Sequence, residues 1–164
     1  MTCENDPYIY KIVTRFLGID PGGTTGLVVA HLVDENPLEV VWHGQEDDFL
    51  QLCNWLELIL PSIDLVICER FVPRATQFVA DAPAACEPIG VIKYLCNKMA
   101  KELILPVQSA RKLVTDAALR QSGYWIKGEE HARQALKHVL ARVTGEMRDK
   151  PTLERLHPRT MVQQ

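Results

Sequence analysis

The stretch from Phe16 to Ala30 constrains the fold more than any other part of this chain. It reads Phe-Leu-Gly-Ile-Asp-Pro-Gly-Gly-Thr-Thr-Gly-Leu-Val-Val-Ala, apolar at both ends with one carboxylate, Asp20, at its centre. Pro21, Gly22 and Gly23 follow that acid at once. The pattern predicts a buried strand, a tight turn, and a second strand returning beside the first. An acid at the end of an apolar strand is costly to bury unless something pairs with it. A metal ion is one such partner. The alternative is a turn cap in which Asp20 bonds its own backbone.

A chain of 164 residues, 47% hydrophobic, is long enough for one domain with a sizeable core. No run approaches the ~20 apolar residues that span a bilayer. Met1 to Pro7 is polar and acidic, unlike a signal peptide. The five cysteines, Cys3, Cys53, Cys68, Cys86 and Cys96, are scattered and form no Cys-x-x-Cys pair. That argues against a disulfide framework and a zinc site, and for a reducing, cytoplasmic setting. The net charge of −3 hides an asymmetry. Residues 1–69 carry 2 basic and 12 acidic side chains, whereas residues 70–164 carry 16 basic and 9 acidic. The second half therefore has the charge to face phosphates, or simply to solvate surface helices.

Taken in order, Ile9 to Ile19, Gly26 to Leu32 and Leu38 to His43 read as three strands joined by short links, an antiparallel meander. Phe49, Leu52, Cys53, Leu56, Ile59 and Leu60 recur at helical spacing and stop at Pro61. Asp64 to Glu69 is a nearly continuous apolar run, expected as a central strand, and it too ends in an acid. Arg70 to Glu87 looks irregular. A helix from Pro88 to Glu102, a strand from Ile104 to Val107, a helix capped by Ser109 and ended by Gly123, and a last helix from Gly128 to Val143 follow. From Thr144 the chain turns polar, which predicts a tail or arm.

A meander followed by alternating elements implies an α/β domain with a mixed five-stranded sheet and helices on its faces. In such a sheet Asp20 and Glu69 become neighbours at strand C-terminal ends, where α/β folds gather their ligands. Two carboxylates there suit a hard cation such as Mg²⁺. On the last helix, His131, Gln134 and His138 share one stripe beside the apolar face of Ala132, Leu136, Val139 and Val143. A lone helical histidine is more often structural; three polar groups along one stripe point toward a site.

Three motifs in order, Phe-Leu-Gly-Ile-Asp-Pro-Gly, Val-Ile-Cys-Glu and His-x-x-(acid)-Ala, resemble the RuvC family of Holliday-junction resolvases, and in particular its short phage-encoded members. The resemblance covers roughly Arg15 to Arg142. It implies an RNase H-like fold, a homodimer, and cleavage of branched DNA with two Mg²⁺ or Mn²⁺ ions, in a bacterial or phage-infected cell. With the polar stretch from Thr144 set apart, residues 1–143 are expected as the nuclease domain and 144–164 as a polar tail. The resemblance also implies Asp20 and Glu69 as metal ligands, with His131 as a ligand or a group that positions water. In an intact site one ion acidifies a bound water and the other stabilises the leaving oxygen.

One departure stands out. The family has an Asp where this chain has Gln134. An amide oxygen ligates without charge, and two close cations need carboxylates to offset their repulsion. The catalytic set implied is thus Asp20, Glu69, His131 and Gln134, with the last position altered and cutting in question. Glu130, one turn back, lies off the stripe by helical geometry. Candidate DNA contacts are Arg70, Phe71 and Arg74 after the Glu69 strand, then Arg111, Lys112, Arg133 and Lys137, with Lys98, Lys101 and Phe78 as further possibilities. Two other readings stay open: a branched-DNA binder that does not cut, and an ATP-binding domain of the actin and sugar-kinase type. The Gly-Gly-Thr-Thr-Gly turn resembles the phosphate loop of the latter.

Overall fold

The computed structural model describes residues 13–72 and 82–158. Five strands form one mixed sheet: β1 (Val13–Asp20), β2 (Thr25–Val33), β3 (Glu39–Glu46), β4 (Leu65–Cys68) and β5 (Glu102–Ile104). Their order is β3-β2-β1-β4-β5. The first three are antiparallel, and β4 joins β1 in parallel with Ile19 opposite Cys68. The expected meander and mixed five-stranded sheet are present. Among the described residues no helix is long and apolar enough to cross a membrane.

Strand alternation decides which residues meet which helices. One face of the sheet packs Leu17, Ile19, Leu27, Val29, Val66 and Cys68 against α1 (Phe49–Ile59) and α2 (Ala82–Lys98). The other packs Phe16, Val28, Ala30, Leu65 and Ile67 against α4 (Glu130–Ala141), with α3 (Asp116–Ser122) and α5 (Lys150–Leu156) closing the same core. Asp20 shares the parity of Phe16, and Glu69 that of Leu65 and Ile67. Period-two geometry therefore turns both acids toward α4.

Helix α4 lies unusually close to the sheet. A Cβ at Gly26 would fall 2.0 Å from the carbonyl carbon of His131, and one at Gly18 would fall 2.6 Å from Val139 Cγ2. These two strand glycines are the contact points that let the helix backbone seat itself on β1 and β2. Gly26 pairs with Asp20 across the hairpin. The first turn of α4 is thereby held directly beside the acid.

Several expected boundaries change. Pro88 does not start its helix but lies inside α2, which begins at Ala82. Proline there removes an N–H and crowds the preceding turn. It is nevertheless buried on the stripe that continues through Ile92, Leu95 and Cys96, so packing outweighs the local preference. Ser109 caps no long helix. Gln108–Leu113 is a 3-10 turn, and α3 starts only after Thr115, whose hydroxyl accepts from Ala118 N–H. Gly123 ends α3 as expected, in the left-handed conformation at φ 76°. Cys53, read as a core residue, is half-buried, whereas Cys68 is fully buried.

The polar tail is the largest correction. Asp149 caps α5 and Pro151 lies in its first turn, a position proline tolerates. Leu156 is 1% exposed within the α4-side core. The Thr152 hydroxyl accepts a 2.7 Å hydrogen bond from Leu38 N–H, and the Tyr124 hydroxyl donates a 2.6 Å bond to Leu38 O. A narrow face of Thr152 and Leu156, one turn apart, is enough to dock seven residues; mean polarity conceals so short a stripe.

Candidate functional site

Asp20 closes β1 and Glu69 follows β4, with Glu69 N–H donating to Ile19 O at 3.0 Å. The carboxylates thus sit on adjacent parallel strand ends. His131, in the first turn of α4, brings Nδ1 to 2.9 Å from Asp20 Oδ2. His138, two turns on and buried, brings Nε2 to 2.7 Å from Glu69 Oε2. Each acid therefore has one imidazole, and both imidazoles come from the same helix face. His131 N–H donates to Gln45 Oε1 at 2.8 Å, which fixes the start of α4 against β3. Glu129 and His43 Nδ1, 2.7 Å apart, hold the same junction.

Arg111 completes the cluster. Its Nη1 lies 2.9 Å from Glu69 Oε2 and 3.5 Å from Asp20 Oδ1, so one guanidinium contacts both acids. Burial raises the pKa of Asp20 above the ordinary aspartate range and nearby Glu69 pushes it the same way; His131 and Arg111 oppose the shift. The cluster opens into a cleft of about 420 Å³, lined by Pro21, Gly22, Phe71, Gln108, Glu130 and Gln134 among others. Gln134 is thus at the site, as its place on the stripe predicts. Glu130, expected off the stripe, also reaches the cleft from its exposed position.

The donor set is two buried carboxylates, imidazoles and an amide, the chemistry that suits a hard divalent cation. Among the described residues, however, no group of three or more His, Cys, Asp and Glu side chains stands ready to hold a metal ion. Arg111 instead sets its positive charge against both acids.

The basic candidates separate by geometry. Arg70 and Lys112 are exposed and line a second cleft of about 390 Å³, with Glu69 and Phe71 on its wall. Arg133 lies over the Trp125 ring at 4.4 Å and donates to Ile126 O at 2.9 Å. Lys137 is 2.6 Å from Asp116 Oδ1, and Lys101 donates to the carbonyls of Pro61 and Ile63. These three have internal partners, as does Arg111. Lys98 stands 4.0 Å from Glu57 on an exposed face. Arg74 and Phe78 lie outside the described residues.

Asp20, Glu69, His131 and Gln134, expected together from the sequence, line one cleft, and Arg111, expected to face phosphate, lies against the two acids. The sequence placed His138 on the right stripe without its partner. The signal for His138 was present in its seven-residue spacing from His131, two turns of one helix face. Nothing local in Gln-Ser-Ala-Arg111 marks a counter-ion, because that role arises from contacts 42 residues away in the chain.

Comparison with solved structures gives the chain the fold of RuvC-like RNase H domains. The chain is similar to Thermus thermophilus RuvC, at 16% identity and a TM-score of 0.64, covering 83% of this chain and 96% of that one. T. thermophilus RuvC in complex with Holliday junction substrate matches at 15% identity and 0.64, covering 82% and 96%. The Fowlpox virus resolvase, in a complex with substrate Holliday junction DNA, matches at 10% identity and 0.55, covering 77% and 96%. No sequence family model matches the chain. No curated protein sequence matches it either.

Proposed function

We propose that this chain is a metal-dependent nuclease for branched DNA, built on the resolvase fold and weakened at one ligand position. The observation that carries the proposal is the pair of buried acids, Asp20 and Glu69, on adjacent strand ends with His131 of α4 against Asp20. Asp20, Glu69 and His131 would hold a Mg²⁺ or Mn²⁺ ion, with the Gln134 amide as a neutral fourth donor. Such an ion acidifies a water and offsets charge on a phosphodiester.

The chain's own residues supply the rest. His138 holds Glu69 in place from the buried side. His131 places Nδ1 on Asp20, which leaves Nε2 as the atom that would take the ion or position a water. Arg70 and Lys112 provide positive charge along the adjoining cleft for a DNA strand, and Phe71 on its wall offers a surface for base stacking. A four-way junction needs two cuts, so two copies of the chain, a homodimer, are the expected working unit. Gln134 favours a second reading, a protein that binds junctions without cutting them, because the amide cannot offset a second cation.

Cleavage of a labelled four-way junction, run beside linear duplex in Mg²⁺ and in Mn²⁺, tests both readings. Asp20→Asn is expected to abolish cutting while leaving junction binding. Gln134→Asp is expected to raise cutting at least tenfold. If the parent binds junctions and only Gln134→Asp cuts, the non-cutting reading describes the natural chain. If no variant cuts or prefers junctions over duplex, the resolvase proposal is refuted.

A further inference from the structure

The acids of the site are not shared equally among their partners. Asp20 Oδ2 meets His131 and Glu69 Oε2 meets His138, and both histidines are carried by a helix locked to the sheet at Gly18 and Gly26. Arg111 is different. It extends from the 3-10 turn Gln108–Leu113, outside the sheet and outside α4, and touches both acids with a single nitrogen. Its side chain keeps 23% of its surface exposed and lines the same cleft as Gln134. A guanidinium on four rotatable bonds can leave the carboxylates without moving the fold. The fully enclosed imidazole of His138 cannot.

We propose that Arg111 is a built-in competitor for the cation: its guanidinium sits against both Asp20 and Glu69, the carboxylates that would hold the ion, and loading the site would displace it from them. The inference rests on the metal-centre reading above and adds a regulator to it. A divalent ion and a guanidinium on the same pair of carboxylates repel each other at contact distance, so each weakens the hold of the other. Without an ion, Arg111 is the positive group in contact with both acids. Once displaced, the guanidinium has a fork of donors matched to a phosphate. Arg70 and Lys112 already line the neighbouring cleft. Arrival of a phosphate there would draw Arg111 away and favour cation entry, so DNA binding and metal loading reinforce each other.

Mn²⁺ binding to the DNA-free protein tests this, read from loss of the free-ion EPR signal during titration. Arg111→Ala is expected to bind Mn²⁺ about tenfold to a hundredfold more tightly than the parent, the range a charge-assisted hydrogen bond represents. In EDTA the same variant is expected to melt below the parent, since its acids lose their counter-ion. Arg111→Lys, which keeps the charge, is expected to stay near the parent in affinity. Arg111→Gln gives the same Mn²⁺ readout as Arg111→Ala if the alanine variant does not fold. Suppose the parent binds Mn²⁺, Asp20→Asn does not, and neither neutral Arg111 variant binds more tightly: the competition is then refuted and the metal centre stands. If no variant binds Mn²⁺, the metal centre itself is refuted, and the competition with it.

Discussion

Replacing Gly26 by alanine should unseat α4 from the sheet and take the site apart. The added Cβ would stand 2.0 Å from the His131 carbonyl carbon, 2.2 Å from its oxygen and 2.5 Å from Ala132 N. Ordinary contact begins near 3.4 Å, so the first turn of the helix must retreat by more than an ångström. Backbone atoms cannot rotate aside as a side-chain tip can. Overpacking commonly costs about 1–3 kcal/mol, and a backbone clash belongs at or above the upper end. For a domain of this size about 3 kcal/mol lowers Tm by roughly 6–12 °C. Two controls grade the effect. Gly18→Ala meets the movable Val139 Cγ2 at 2.6 Å and the Ala135 carbonyl oxygen at 2.9 Å, and should cost less. Gly23→Ala meets nothing within 4 Å and should change stability by no more than about 0.5 kcal/mol. Thermal and urea denaturation followed by circular dichroism give the order directly. Mn²⁺ titration adds a second readout, because His131 moves with the helix turn. A Gly26→Ala protein that melts within about 2 °C of the parent would refute the close seating of α4, and with it the placement of His131 beside Asp20.

Other substitutions probe other parts of the argument. His138→Ala removes the 2.7 Å contact to Glu69 from a buried position; about 2–4 kcal/mol of destabilisation and weaker Mn²⁺ binding are expected, by urea unfolding and EPR titration. Thr152→Val keeps the volume but leaves Leu38 N–H buried without its partner; a loss of about 1–3 kcal/mol in urea is expected, and a neutral result would return residues 144–158 to the status of a tail. Lys137 lowers the Asp116 pKa by direct hydrogen bonding, so the ionised pair stabilises the fold in full above the ordinary aspartate range, and the gain is lost as pH falls from there through the lowered pKa. Asp116 is about half exposed, so Asp116→Asn should flatten the acid side of the stability–pH curve by less than about 1 kcal/mol.

Much of this protein is determined locally. The Phe16–Ala30 hairpin follows from apolar alternation around Asp-Pro-Gly-Gly, and the four-residue run Leu65–Cys68 follows from continuous hydrophobicity. Period two in the strands and 3.6 in α4 then bring Asp20, Glu69 and the His131–Gln134–His138 stripe to one side of the sheet. Those facts depend on neighbours in sequence, and the residues alone disclose them. Other features exist only in three dimensions. Pro88 inside α2 and the docked α5 are cases where burial overrides local preference. Arg111 looks like one more surface cation until the sheet places two acids beside it, and Gly26 looks like an ordinary strand start until α4 lies against it. Electrostatic partnership and steric contact act through space, so the charge balance of the site was decided by the tertiary fold.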